Sequence, residues 1–280
     1  MHRSGTSLTA ELCHNLGWQV TGPEDFLRQG NQYNPQGYWE TSDLVTINRR
    51  ILYALGGDWH VIPRLRPNWT EAAALKALRN SARKFIAQIP SPKATWKDPR
   101  LTLTLEFWQP LVPSTRYIVC LRNPLDVALS LHRRNNMATQ WALTLWMFYT
   151  SQALTKTEGL NRLPVFYEDL IGPNGTQQTQ RLQNFLDTDS FEVSDRVIRS
   201  DLSHGHSDLI PLPDNISIPQ PVKEMWQGLL DWRESGYEED SAIMSLAQSY
   251  QPPRTQWTTA RKYRLSFWMR YVKMQLLEGR

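Results

Sequence analysis

Cysteine is scarce in this chain: Cys13 and Cys120 are the only two among 280 residues. That excludes a disulfide framework, and with the six histidines scattered it leaves no metal-ligand spacing, so no metal is expected. Both cysteines lie among apolar neighbours and are expected to be buried free thiols in a reducing compartment. Long apolar runs are also missing, so nothing reads as a membrane span or a secretory leader, and a cytoplasmic location is expected. Asn68-Trp69-Thr70, Asn174-Gly175-Thr176 and Asn215-Ile216-Ser217 match the glycosylation pattern. Without a secretory route these are chance matches. Neither charge sign dominates, with 31 basic and 27 acidic residues and a net charge of +4. That mildly favours anionic ligands and is too diffuse for nucleic acid. Repeats and low-complexity tracts are absent. The length supports one large α/β domain, 1–280.

What is abundant is tryptophan, twelve in all. Trp39, Trp59, Trp69 and Trp108 are candidates for the aromatic wall of a pocket, and core packing explains them equally well.

The opening run, Met1-His2-Arg3-Ser4-Gly5-Thr6-Ser7, reads as a glycine-containing turn feeding a helix. Leu8, Leu12 and Leu16 then form one face, and Gly17 stands where the helix ends. A helix N-terminus offers unpaired N–H groups and partial positive charge, so it suits an anion. Arg3 adds a fixed cation, and Thr6 and Ser7 add hydroxyls. The Lys that a Walker-type loop carries after its last glycine is missing, which argues against a Mg-nucleotide.

Further along, Trp18 to Val20, Ala94 to Trp96, Thr115 to Leu121 and Leu163 to Tyr167 read as strands. Tyr117 to Leu121 is a continuous apolar run that suits a central strand covered on both faces. A loop is expected over 29–37, with helices over about 43–55, 70–88 (Thr70 as N-cap), 124 onward, 140–154, 222–232, 238–249 and 258–277. Asn123 is placed to cap and Pro124 to occupy the first helical position. Strands alternating with helices imply a parallel α/β sheet, in which ligands bind past the carboxyl ends of the strands. Lys97 and Arg122 sit at such ends, and Ser130 lies two helical turns beyond Arg122. This implies a ligand with two separated anionic groups, one at the first loop and one at Arg122 and Ser130.

These motifs together resemble those of sulfotransferases that use 3′-phosphoadenosine 5′-phosphosulfate, of bacterial type and with features similar to protein-tyrosine sulfotransferases. His2 to Ser7 is similar to the family's 5′-phosphosulfate loop. Arg122-Asn123-Pro124 with Ser130 is similar to its 3′-phosphate motif, Tyr167-Glu168-Asp169-Leu170 to a recurrent strand-to-helix segment, and Lys97-Asp98-Pro99 to a motif shared with protein-tyrosine sulfotransferases and many bacterial members. Asn34 to Glu40 resembles the loop that delivers a catalytic Glu. The matches cover 2–171, and 172–280 is matched poorly.

The resemblance implies a three-layer parallel sheet of the P-loop nucleoside triphosphate hydrolase type, with a donor-binding core at 1–171 and a helical part at 172–280. The family places a buried strand immediately before the loop. Here the sequence begins at the loop, so the first strand is expected to be missing from it. The implied reaction moves a sulfuryl group from the nucleotide to a hydroxyl or amine of a carbohydrate, phenolic, peptide or other small acceptor. Arg3, Ser4, Gly5, Thr6 and Ser7 would hold the 5′-phosphosulfate, and Arg122 and Ser130 the 3′-phosphate. Lys97 and Arg3 would stabilise charge on the leaving oxygen, with Glu40 the general base. Lys97 also reads as a surface residue paired with Asp98, and Glu40 as a helix-capping acid. His14, His60, His204 and Asp98 are the other candidate bases. Two further readings stay open: a catalytically silent nucleotide-binding or interaction protein, and a P-loop kinase. Peripheral membrane contact through Arg261, Lys262, Arg264, Phe267, Trp268 and Tyr271 is considered and not preferred over docking on the domain.

Overall fold

The computed structural model describes residues 1–20, 30, 37–63, 65–89, 91–113, 115–188, 216–238 and 241–252. Helix α1 (Thr6–Asn15) starts at Gly5, whose φ of 80° belongs to the left-handed region. It buries Leu12 and Cys13 and stops at Gly17, φ 85°. Strand β1 (Gln19–Val20) follows, then α2 (Ser42–Ala54), α3 (Lys76–Ala87), β2 (Ala94–Thr95) and α4 (Leu101–Trp108). Strand β3 (Tyr117–Leu121) leads into α5 (Pro124–Asn135), α6 (Thr139–Lys156) and β4 (Arg162–Phe166). Short α7 (Tyr167–Ile171), α8 (Gly175–Leu186), α9 (Gln220–Glu234) and α10 (Ser241–Ser249) complete the described chain.

Strands pair in parallel, as crossover connections through helices require. β1 pairs with β2, Gln19 opposite Ala94. β3 pairs with β4, from Tyr117 opposite Arg162 to Leu121 opposite Phe166. Among the described residues no further strand joins the two pairs. The fold is therefore mixed α/β, mostly helical, with short parallel strand pairs.

Local chemistry sets the important boundaries. The Asn123 side chain accepts from the N–H groups of Leu125 (2.9 Å) and Asp126 (3.4 Å), and Pro124 occupies the first turn of α5, as the sequence predicts. Helix α6 is buried on nearly every side, with Trp146, Met147 and Tyr149 at its centre, which is why its sequence shows little amphipathic contrast. It carries the largest core, shared with β3, α5, α9 and α10. A second core joins α2, α3 and α4, and a third joins α1, β4, α7 and α8.

The expected helix over 70–88 is corrected: only Lys76–Ala87 is α-helical, preceded by two 3-10 turns, Trp69–Glu71 and Ala73–Leu75. Asn68 lies at φ 57° and Ala72 is extended, so Thr70 caps nothing. Trp69 and Leu75 are both drawn into the second core there, and the Trp69 indole N–H donates to Glu106 at 2.7 Å. Tertiary burial outweighs local helix propensity. Strand β3 alternates between buried and half-buried residues rather than being covered throughout. The loop over 29–37, apart from Gly30 and Gly37, and the C-terminal segment from Arg261 to Tyr271 lie outside the described residues, as does His204. No helix among the described residues is long and apolar enough to cross a membrane.

Candidate functional site

The first loop and the end of β3 meet. Arg3 Nε donates to Ser130 Oγ at 2.8 Å, and Arg122 Nη1 donates to the Arg3 carbonyl at 3.0 Å. Arg122 lies 4.1 Å above the Tyr167 ring, and its carbonyl accepts from the Trp146 indole at 2.9 Å. Tyr167 also packs under Gly5: a Cβ there would stand 2.6 Å from Tyr167 Cδ2, so both the left-handed φ and the ring demand glycine. Glu168 accepts from the Asn123 N–H at 2.8 Å. The segment Tyr167-Glu168 thus braces both anion-binding motifs at once.

Cations gather here. Among the described residues, neither Arg3 nor Arg122 forms an ion pair with a carboxylate. Burial, then Arg134 and Arg122, push the Arg3 guanidinium down to about 10. The Arg122 Nε is buried with no hydrogen-bond partner. A buried guanidinium N–H without an acceptor is costly, and an oxyanion satisfies it. These groups therefore fit a phosphate, with the N-terminus of α1 adjoining. The expectation that Arg3 and Ser130 belong to well-separated anion sites is corrected, because their side chains are bonded to each other.

Beside this seat lies a denser charge cluster. Lys97 Nζ is 2.7 Å from Glu40 Oε1 and donates to the Tyr38 carbonyl at 2.7 Å. Ser7 Oγ donates to that same carbonyl at 3.3 Å, which ties the first loop to the Glu40 segment. Arg100 Nη1 stands 2.8 Å from Asp98 Oδ1 and 3.8 Å from Glu40 Oε2. Asp98 and Glu40 outweigh the desolvation of Arg100 and hold it firmly protonated. Asp98 is in turn fixed by Asn48, whose Nδ2 donates to Oδ2 at 2.9 Å. Asn48 is 0% exposed, and its Oδ1 accepts from Thr104 Oγ1 and Trp108 Nε1, both at 2.8 Å. A buried amide that holds three partners in this way specifies one geometry. The pairing of Lys97 with Asp98 is replaced: Lys97 takes Glu40, and Asp98 takes Arg100.

His2 completes the site. Its ring lies 4.5 Å from that of Trp59, and its Nε2 is buried without a partner. Burial first, then Arg100 and Arg134, hold the imidazole well below its ordinary value, so it is neutral. Arg134 lies 5.6 Å over the same Trp59 ring.

Of the residues the sequence singles out, Arg3, Arg122 and Ser130 come together, as do Glu40 and Lys97. Ser4 is buried within the loop, while Gly5 caps α1 and Thr6 and Ser7 open it. His14 stacks on Trp39 at 5.2 Å, and the His60 ring stacks on Trp59 at 4.9 Å. Sequence reasoning missed Arg100, Arg134, Asn48 and the proximity of His2. The motif it quoted ended one residue before Arg100, and a buried Asn within a helix carries no local signal. Cys13 and Cys120 are free; Cys13 is buried as expected, whereas Cys120 is half-buried, and burial pushes the Cys13 thiol up to about 12. Among the described residues no cluster of His, Cys, Asp or Glu could hold a metal ion. Compared with known proteins, the chain matches no family model, no curated protein and no solved structure.

Proposed function

We propose that this protein transfers a sulfuryl group from 3′-phosphoadenosine 5′-phosphosulfate to a hydroxyl, within a P-loop-like fold. The observation that carries the reading is the buried, unpaired Arg122 Nε beside Arg3 and Ser130, next to the Lys97–Glu40 pair. The first is a seat for an oxyanion, and the second couples a cation to a carboxylate.

Arg122, Ser130 and the Arg3 side chain bonded to it hold the 3′-phosphate. The amides at Gly5 to Ser7 hold the 5′-phosphosulfate end. In the step itself, the acceptor oxygen forms a bond to sulfur while the bond from sulfur to the 5′-phosphate oxygen breaks. The electron pair stays on that oxygen, and the hydroxyl proton passes to Glu40. Growing charge on the leaving oxygen draws Lys97, whose ammonium is shared until then with Glu40 and the Tyr38 carbonyl. Arg100 remains beside Glu40 when Lys97 turns away, and Asn48 keeps Asp98 and hence Arg100 in place.

Two measurements test this. Calorimetry is expected to show binding of adenosine 3′,5′-bisphosphate without Mg²⁺, and radiolabelled sulfate is expected to move from the donor to a hydroxylated acceptor. Tight binding without transfer to any acceptor means a silent nucleotide-binding protein. Mg²⁺-dependent binding of ATP in preference to the bisphosphate means a kinase-like protein.

A further inference from the structure

Of the four tryptophans offered by the sequence as a pocket wall, three are core: Trp39 is 6%, Trp69 7% and Trp108 1% exposed. Trp59 is half-buried and borders the candidate site through His2 and Arg134. Its loop is rigid. Asp58 and Val61 form an antiparallel bridge, and the Trp59 N–H donates to Asp58 Oδ1 at 2.7 Å. A Cβ on Gly57 would stand 2.6 Å from the Val61 carbonyl oxygen, so the turn is closed tightly. From α6, Tyr149 Oη donates to the Trp59 carbonyl at 2.8 Å and the Trp141 indole to the His60 carbonyl at 3.0 Å. The backbone of Trp59 is thus fixed. Its half-buried indole, with His2 at 4.5 Å, His60 at 4.9 Å and Arg134 at 5.6 Å, leaves part of an aromatic surface for a ring at little entropic cost.

Arg134 gives that face a charge preference. It lies one helical turn after Ser130 on α5, so both project from the same side. It leans on Trp59 and forms no ion pair with a carboxylate among the described residues. Burial lowers the readiness of its guanidinium to stay charged, and the nearby Tyr38 and Glu40 act the other way. One turn after Ser130 and over Trp59, it stands at the border of the anion seat, where a group beyond the donor's phosphates would arrive. The donor's phosphates already have Arg3, Arg122, Ser130 and the start of α1.

Resting on the sulfuryl-transfer reading, we infer that Trp59 and Arg134 form the acceptor subsite, and that the acceptor is a hydroxylated ring bearing an anionic group. The ring stacks on Trp59 while the anion pairs with Arg134, which leaves a hydroxyl beside Glu40. An acidic sugar and an acidic phenol share this chemistry.

The test compares matched acceptors with the intact chain: methyl glucuronide against methyl glucoside, and 4-hydroxyphenylacetate against its amide. In at least one pair the anionic member is expected to have about ten-fold higher kcat/KM. Arg134→Gln should bring that pair within about two-fold of each other while adenosine 3′,5′-bisphosphate affinity stays within about two-fold. The pair that discriminates tells sugar from phenol. Equal kcat/KM within both pairs overturns the inference, and so does a large loss of bisphosphate affinity in Arg134→Gln, which would assign Arg134 to the donor. If the parent transfers no sulfate at all, the transfer reading fails, and the subsite is judged by binding alone. Tryptophan fluorescence should then still respond to methyl glucuronide or 4-hydroxyphenylacetate in the parent, and lose that response in Trp59→Phe and in Arg134→Gln. Absence of a response in the parent overturns the subsite.

Discussion

Arg3 and Ser130, 127 residues apart, are joined by a 2.8 Å hydrogen bond between Nε and Oγ. The bond makes the first loop and α5 one anion seat, with Arg122 above it. Arg122→Ala and Ser130→Ala should each weaken binding of adenosine 3′,5′-bisphosphate by about ten- to a hundred-fold. Binding of adenosine 5′-phosphate should change far less. Equal losses for both nucleotides in calorimetry would remove these residues from the 3′-phosphate.

Glu40→Gln should abolish most transfer, by about a hundred-fold or more, while bisphosphate affinity stays within about two-fold. The motivation is the position of Glu40 between Lys97 at 2.7 Å and Arg100 at 3.8 Å. Activity within a few-fold of the parent would pass the base role to His2, the neutral imidazole next to the site.

Asn48 is expected to matter for stability before it matters for chemistry. Asn48→Ala strands Asp98 Oδ2 and the Trp108 N–H in a buried core, both bonded to Asn48 now, while Thr104 Oγ1 keeps the Arg100 carbonyl at 3.3 Å. The expected loss is about 2–4 kcal/mol in urea unfolding. A loss below about 0.5 kcal/mol would mean that the network is dispensable.

Acid should destabilise the protein partly through His2. Its folded imidazole lies well below the ordinary 6.5, so the unfolded chain takes up a proton there that the folded chain refuses. Stability from this source is complete above pH 6.5 and falls as the pH drops below it, by up to about 1.4 kcal/mol per pH unit. His2→Gln should therefore show a shallower decline between neutral pH and pH 5 in urea unfolding. Parallel declines for parent and variant would mean that His2 titrates normally in the folded chain.

Legibility in the sequence followed the range of each interaction. Helix α1 and the start of α5 could be read from Gly5, Gly17, Asn123 and Pro124, since capping is settled within a few residues. The pairing of Glu40 with Lys97 could be suspected from motifs but not placed, because it spans 57 residues of chain. Helix α4 went unassigned: Leu101 to Leu105 alternates apolar and hydroxyl residues like a strand. It is helical because Thr104 bonds Asn48 across the core and Leu103, Phe107 and Trp108 are buried. Arg100 and Arg134 look like ordinary surface charges until the fold lays Arg134 over Trp59 and sets Asp98 and Glu40 around Arg100.

The loop around Trp59 hangs from α6 through Tyr149 and Trp141, whereas the anion seat is built at the ends of β3 and β4. Both parts lean on α6, since the Trp146 indole also holds the Arg122 carbonyl, but through different residues of that helix. A change at residues 56–63 would alter the ring that is favoured, with the contact of His2 on Trp59 as a link to Arg3. Divergence in what such a protein modifies has an easy route here: it requires rewriting one short, tightly closed loop while Arg122 and Ser130 stay as they are.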